Sequence, residues 1–185
     1  MRLFLASFLS PDNREFYDSL VSDVISDVPD TLRPVPRDTQ HLTMVFLGDI
    51  ADTDLHGCVQ ALEAVGGIVA IRFALGPPRI MFARRSPRLV CVDLTSGVER
   101  VSALQKRLHI NLSERLPTPI TPPKPPHITL ARFRKNANRE AARRVAASLA
   151  QRIDPPASRS DQLTRVQLVK STLTPSGPVY EGVRS

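Results

Sequence analysis

The 185-residue sequence has no tryptophan, an aromatic content of 5% and only two cysteines. Cys58 and Cys91 have neither the spacing of metal ligands nor that of a disulfide framework, which favours a reducing, cytoplasmic location. No signal peptide and no long apolar run stands out, so we expect no association with a membrane. The absence of an RNA-recognition-motif signature, zinc-finger spacing or a Walker loop disfavours a dedicated sequence-reading module.

The composition favours a globular protein with anionic partners. A hydrophobic content of 42% is enough to bury a core, and we expect one domain over residues 1–185, built of two intertwined lobes and monomeric. The net charge of +7 and the pI of about 10.2 make nucleic acid or nucleotide the preferred ligand class. Most basic residues are scattered, and we interpret the majority as solvated surface. The basic residues include Arg79, Arg84, Arg85, Arg88, Arg132, Arg134, Lys135, Arg139, Arg143 and Arg144.

Two of the four histidines begin the same tetrapeptide, His-x-Thr followed by an apolar residue. The copies are residues 41–44 and 127–130, and each has the period-2 pattern of a short strand. Each copy therefore places its His and Thr on one face and its apolar pair on the other. If the two strands lie side by side, two imidazoles and two hydroxyls surround one small anionic group, which suits acid–base chemistry at phosphorus.

A single His-x-Thr triplet in a strand is more often structural than catalytic, and a strand threonine alone is ordinary. The second copy, at the same offset, reverses this preference. The other two histidines lack the Thr-containing tail and receive no role, because solvent-facing or capping histidines are common in the helices predicted there. The candidate site residues are therefore His41, Thr43, His127 and Thr129, and the histidines without a role are His56 and His109.

Alternating strand and helix patterns predict an α+β fold of two pseudo-symmetric lobes. Each lobe is expected to be a mainly antiparallel sheet with helices on its outer side, and the lobes enclose a central cleft. The motifs are 86 residues apart, so each lobe contributes one motif strand. The predicted strands are Arg2–Leu9, His41–Leu47, Ile68–Leu75, Arg79–Phe82, Leu89–Leu94, His127–Arg132, Leu163–Leu173 and Val179–Arg184. The predicted helices are Asn13–Val28, a segment from Asp52 or Thr53 to about Val65, Val98–Leu112 and Asn138–Gln151.

Prolines interrupt this pattern before both motifs. Residues 33–36 read Arg-Pro-Val-Pro and predict an extended spacer. Residues 117–126 contain six prolines and predict a stiff, extended approach to His127. Further proline-containing breaks are predicted at residues 154–156 and 174–178.

The motifs and their surroundings resemble the two-histidine (2H) phosphoesterases, and within them the RNA 2′,3′-cyclic phosphodiesterases, also called LigT-like or 2′-5′ RNA ligase-like proteins. The resemblance extends over nearly the whole chain, in residues 1–6, 41–48, 126–132 and 173–180. Two positions depart from the family pattern: Pro34 stands where Trp is usual, and Met44 where Leu is commoner.

The resemblance implies hydrolysis of RNA or nucleotide 2′,3′-cyclic phosphate ends to 2′-phosphates, together with weak, reversible 2′-5′ RNA ligation. It implies that His41 donates a proton to the leaving 3′ oxygen and that His127 accepts one from water. Thr43 and Thr129 would hold the non-bridging phosphate oxygens. We expect no cofactor and no metal, because two histidines without a carboxylate cluster match neither a zinc site nor a dinuclear site.

Arg132 completes the candidate substrate site. It matches an arginine of the family's longer second motif, but strict alternation places it on the strand face opposite His127. A bulge or the strand end would bring its guanidinium to the phosphate or onto a base, and a surface charge is the alternative. Phe46 and Phe133 could stack on a base, but we leave both out of the site because aromatic residues beside strands more often belong to the core.

Two other functional classes stay open at this stage. A non-catalytic nucleotide- or RNA-binding module would use the same basic cleft and would keep its function without the two histidines. A structural or protein-interaction domain would bind no phosphorylated ligand, and the repeated motif would be a coincidence.

Overall fold

The computed structural model describes residues 1–153, 158–174 and 177–183, which contain ten strands and four α-helices. The strands are β1 Arg2–Phe8, β2 Leu32–Pro34, β3 His41–Asp49, β4 Ile71–Leu75, β5 Arg79–Ala83, β6 Ser86–Ser96, β7 His127–Phe133, β8 Arg159–Leu163, β9 Gln167–Thr174 and β10 Gly177–Gly182. The α-helices are α1 Pro11–Asp27, α2 Leu55–Glu63, α3 Val98–Arg115 and α4 Arg139–Ala150. Two short 3-10 helices, Arg37–Thr39 and Asp52–Asp54, precede β3 and α2.

The strands form one antiparallel sheet with the order β10-β9-β1-β3-β7-β6-β4-β8, in which β2 also pairs with β7 and β5 with β6. The motif strands β3 and β7 are neighbours at its centre, joined at the residue pair Leu42–Ile128. The chain runs as strand, helix and motif strand twice, as β1–α1–β3 and as β6–α3–β7. The predicted α+β fold with two similar, mainly antiparallel halves is confirmed.

The motif strands bury one face and leave the other accessible, as their alternation predicts. The apolar residues Leu42, Met44, Ile128 and Leu130 are at most 1% exposed and belong to the main hydrophobic core. On this buried side, α3 packs against β3 and α1 packs against β7. A helix therefore supports each motif strand from behind, while the face that carries the histidines stays free for a ligand.

Both motif strands contain a β-bulge just after the His-x-Thr triplet. The pairing of β3 with β1 skips Met44, and the pairing of β7 with β6 skips Leu130. A bulge inserts one unpaired residue and so shifts the alternation of the side chains that follow. Consequently Phe46 in β3 and Arg132 in β7 are exposed on the same face as the histidines.

Two strand predictions need correction. The single strand predicted over Leu163–Leu173 is wrong, because β8 ends at residue 163 and β9 begins only at residue 167. β8 was missed because its sequence, Arg-Ser-Asp-Gln-Leu, is polar and mostly accessible, as an edge strand can be. The strand predicted over Ile68–Leu75 begins at residue 71 as β4, because Val69 and Ala70 are exposed and lie outside the sheet.

The first proline-containing spacer is partly a strand. Its residues 33 and 34 belong to β2, which pairs with the end of β7, and the Val35 backbone N–H donates to the Leu130 carbonyl over 2.9 Å. The break predicted at 154–156 lies outside the described residues, as do residues 175–176 of the predicted turn and the end of the last predicted strand.

The proline-rich segment 117–126 forms neither helix nor strand, as predicted, and α3 holds it in place. Gln105 Nε2 donates to the carbonyls of Thr43, at 3.0 Å, and Lys124, at 3.4 Å. His109 Nε2 donates to the Ile120 carbonyl at 3.1 Å. This half-buried histidine therefore links the proline-rich segment to α3, and it is neither a helix cap nor a fully exposed residue. In the described part of the chain, no helix has the length and apolar character needed to cross a membrane.

Candidate active site

The two motif histidines have the same backbone anchor. The Nδ1 atom of His41 lies 2.6 Å from the Thr39 carbonyl oxygen, and the Nδ1 atom of His127 lies 2.9 Å from the Pro125 carbonyl oxygen. A carbonyl oxygen only accepts, so each Nδ1 carries the proton and donates it. In the neutral ring Nε2 is then free of a proton, and in the charged ring Nε2 becomes a second donor. Both imidazoles are therefore fixed with Nε2 as the nitrogen available for proton exchange.

Aromatic rings surround His41. Its ring centroid lies 5.0 Å from that of Phe4, 5.5 Å from that of Tyr180 and 5.8 Å from that of Phe8. Burial lowers the pKa of His41, the hydrogen bond to the Thr39 carbonyl acts against this shift, and the positive charges of Arg132 and His127 lower the pKa further. His41 is consequently biased towards the neutral form while no anion is bound.

His127 has a different, more polar neighbourhood. It is half-buried and pairs across the ladder with Asp93 of β6, whereas the residue opposite His41 is Phe8. The Asp93 carboxylate accepts two hydrogen bonds from the Arg79 guanidinium, one of them from Nη2 over 3.0 Å. The second histidine thus adjoins an ion pair, and the first adjoins aromatic rings.

Two adjoining cavities connect these histidines. A cavity of about 350 Å³ is lined by His41, and one of about 640 Å³ is lined by His127. Four residues line both cavities, and we call them the shared wall: Thr43, Phe46, Thr129 and Arg132. All five residues selected from the sequence, His41, Thr43, His127, Thr129 and Arg132, are therefore brought to one cleft.

Arg132 reaches the cleft because of the bulge in β7, the first of the two routes considered from the sequence. Phe46 is the counterpart of Arg132 in the first half of the chain, since each lies five positions after its histidine and beyond a bulge. Phe46 therefore lines the cleft and is 40% exposed, whereas the sequence favours a position in the core. The equal offset was the sequence signal that could have placed it. Phe133 is half-buried and packs against the hydrophobic core, outside both cavity linings.

Three further contributors to the cleft were not selected from the sequence. Tyr180 lines the cavity of His41, and burial raises the pKa of its hydroxyl. Lys124, from the proline-rich segment, lines the cavity of His127. Gln105 lies behind the cleft and connects the backbones of Thr43 and Lys124. No motif marks these residues, because their positions depend on the pairing of distant segments. Among the described residues, no group of three or more His, Cys, Asp or Glu side chains is arranged to hold a metal ion.

Known proteins are similar to this chain in sequence and in fold. The sequence model of the family described as "LigT like Phosphoesterase" matches residues 92–180, which include the second motif. The RNA 2′,3′-cyclic phosphodiesterase of Aquifex aeolicus (strain VF5) is 23% identical over 97% of this chain and 93% of its own length.

Solved structures are similar in fold over almost the whole chain. The protein TT0787 of Thermus thermophilus is similar with a TM-score of 0.74 and 25% identity, over 100% of this chain and 96% of that protein. E. coli LigT complexed with 3′-AMP is similar in fold, with a TM-score of 0.67 and 23% identity over 99% of this chain and 95% of that one. The resemblance to the LigT-like phosphoesterases is therefore confirmed, in sequence over the second half and in fold over nearly the full length.

Proposed function

We propose that this LigT-like protein hydrolyses 2′,3′-cyclic phosphate ends of RNA or nucleotides and leaves a 2′-phosphate. The observation that carries the proposal is the pair of histidines, each fixed through Nδ1 on a backbone carbonyl, at two cavities that share a wall of two threonines, an arginine and a phenylalanine. An in-line attack at phosphorus needs a proton acceptor on one side and a proton donor on the other. The arrangement offers one imidazole for each task.

In the proposed reaction, water attacks phosphorus while His127 Nε2 takes its proton. The bond between phosphorus and the 3′ oxygen breaks, and His41 Nε2 gives its proton to that oxygen. The bond to the 2′ oxygen remains, so the product is a 2′-phosphate. One proton is taken up and one is released, and the two histidines end with their protonation states exchanged. The assignment of donor and acceptor follows the family resemblance, since the two motifs are near copies of each other.

The shared wall would hold the phosphate during this exchange. The hydroxyls of Thr43 and Thr129 can donate to the non-bridging oxygens, where negative charge accumulates. The Arg132 guanidinium adds a positive charge and a planar set of donors that suits phosphate. A bound anion also counters the effect of Arg132 on His41, so substrate binding would raise the pKa of His41 and favour its protonated form.

The relatives support this substrate class. The Aquifex aeolicus relative is named as an RNA 2′,3′-cyclic phosphodiesterase, and E. coli LigT has been crystallised with 3′-AMP, with ATP and with phosphate. The same cleft would also support weak, reversible 2′-5′ ligation: a 5′ hydroxyl replaces water as the attacking group, the bond between phosphorus and the 3′ oxygen breaks, and a 2′-5′ phosphodiester forms. We propose this as a side activity of the same cleft.

The direct test is incubation of the purified protein with each nucleoside 2′,3′-cyclic phosphate, followed by identification of the product isomer. We expect the 2′-phosphate, and a 3′-phosphate would contradict the proposed leaving group. His41→Ala and His127→Ala should each lower the rate by about 10²- to 10⁴-fold while the protein stays folded. If both variants keep full biological function and ligand binding, and the wild-type protein turns over no cyclic phosphate, the protein is a binding module and the enzymatic proposal is wrong.

A further inference from the structure

A basic groove lies on the outer side of β5, away from the catalytic cleft. The groove, which we call the outer groove, has a volume of about 440 Å³ and lies between β5 and α4. Ile80, Phe82 and two alanines of α4 form its apolar lining, and Arg84, Arg139 and Arg143 supply its charge. No acidic residue of the described chain lines it.

The arginines of the outer groove come from two elements. Arg139 and Arg143 are four residues apart on α4, so they project from the same face of the helix. Arg84 lies opposite them in the tight turn between β5 and β6, with a φ of 57°. In the described part of the chain, none of these three guanidinium groups takes part in a hydrogen bond or an ion pair. Three unneutralised cations around one groove make an anion with several charges the fitting ligand.

Phe82 distinguishes this groove from an ordinary basic surface. Its side chain is 47% exposed. Aromatic residues make up only 5% of this chain, so an exposed ring beside three arginines is unusual here. An exposed ring flanked by cations is the combination with which proteins bind single-stranded nucleic acid, where the ring stacks on a base and the cations follow the phosphates. A simple anion such as free phosphate would make no use of the ring.

The outer groove and the catalytic cleft are separated by a single strand. Successive residues of β5 point to opposite faces, so that Arg79 and Met81 line the cavity of His127 while Ile80 and Phe82 line the outer groove. Within the described residues, β5 pairs with β6 alone and its other edge is open. A strand of RNA leaving the cavity of His127 can therefore pass over the edge of β5 into the outer groove.

We propose that the outer groove binds the single-stranded RNA body upstream of the cyclic phosphate end. Phe82 stacks on a base, and Arg139, Arg143 and Arg84 bind the phosphates. This inference rests on the proposed function, because the 3′-terminal ribose must occupy the catalytic cleft. The protein then prefers oligonucleotides that end in a cyclic phosphate to the corresponding mononucleotide.

The test compares two substrates: adenosine 2′,3′-cyclic phosphate and a single-stranded RNA of about eight nucleotides that ends in the same group. Arg143→Ala and Phe82→Leu should lower kcat/KM for the oligonucleotide and leave it unchanged for the mononucleotide. For Phe82→Leu the loss should be about 5- to 100-fold, in line with the loss of one stacked base. For Arg143→Ala the salt dependence of oligonucleotide binding should become shallower by about 0.7 in a plot of log K against log salt, the share of one phosphate.

Arg144→Ala is the matched control. Arg144 follows Arg143 on α4, is exposed and lies outside the outer groove, and its replacement removes the same charge. Equal losses in Arg143→Ala and Arg144→Ala, or equal losses on both substrates, would overturn the inference. Thermal unfolding followed by circular dichroism checks that each variant is folded.

A binding experiment separates this inference from the proposed function. The same RNA with a plain 3′ hydroxyl and a 5′ fluorophore is titrated with protein, and its anisotropy is measured. Weaker binding by Phe82→Leu and Arg143→Ala supports the outer groove even if no cyclic phosphate is hydrolysed. Competition by the RNA duplex as strong as that by the single strand would contradict it, because paired bases cannot stack on Phe82.

Discussion

The two motif histidines are chemically identical residues in unlike surroundings, and for His41 these surroundings lower the pKa. Phe4, Phe8 and Tyr180 surround His41, whereas His127 adjoins the Asp93–Arg79 ion pair. Burial and the positive charge of Arg132 both lower the pKa of His41. An anion beside His41 would act against this shift and favour its protonated form, which would link proton donation to phosphate binding.

We predict that Arg132→Ala raises the pKa of His41 in the ligand-free protein. Removal of the guanidinium removes one of the causes that lower the pKa, while the larger effect of burial remains. The measurement is an NMR titration of the His41 ring. Because the proposed donor must be protonated, the fall of kcat/KM with rising pH should also begin at a higher pH in this variant.

Arg132→Lys is the control, since it keeps the positive charge and loses the planar set of donors. Its His41 pKa should stay low, although phosphate binding weakens. An unchanged pKa in Arg132→Ala would show that Arg132 has no electrostatic influence on His41.

Elements behind the cleft help to fix the position of the motif strands. The two strands meet at a single residue pair, Leu42–Ile128, so other contacts must fix the second motif relative to the first. Gln105 makes such a contact, because its amide joins the backbone of β3 to the proline-rich segment that leads to His127. It is 3% exposed and lines neither cavity, so an effect of Gln105 on catalysis would act through the residues that it positions.

We predict that Gln105→Met lowers the free energy of unfolding by about 1–3 kcal/mol, because it removes a buried donor from two carbonyls at similar side-chain volume. If Gln105 positions the second motif, kcat should fall more than KM changes. Urea unfolding and steady-state kinetics with one cyclic nucleotide measure the two effects. Gln60→Met, at an exposed position of α2, should change neither. A loss of stability with unchanged kcat would show that Gln105 has a purely structural role.

The sequence predicts the elements that have a local pattern. Alternation identifies the motif strands, and spacing of apolar residues identifies α1, α3 and α4 to within a few residues. Polar β8 has no such pattern and was missed. The bulges after Thr43 and Thr129 also leave no local mark, so the sequence offers alternative routes to the cleft for Arg132 and, for Phe46, only its equal offset from the first histidine.

At the scale of the whole molecule, the arrangement depends on pairings between distant segments. β9, from the end of the chain, pairs with β1, and α1, from the first half, packs against β7. Tyr180 lies on β10, which pairs with β9, and the pairing of β9 with β1 brings it to His41. A repeat of two motifs predicts two similar halves. It does not predict that β9 and β10, from the end of the chain, pair on the side of the sheet that contains the first motif.

We predict that hydrolysis proceeds without a divalent metal, because the donor groups that the structure describes around the two histidines do not make up a metal site. Asp93, the carboxylate opposite His127, is held by Arg79, and each motif histidine uses Nδ1 on a carbonyl, so each offers one nitrogen. Zinc sites usually combine three or four protein ligands. We expect turnover of a nucleoside 2′,3′-cyclic phosphate to be unchanged after dialysis against EDTA, measured in metal-free buffer. Loss of activity that zinc or manganese restores would refute paired-histidine catalysis without metal, whereas full activity leaves the two imidazoles and Arg132 as the groups that carry the reaction.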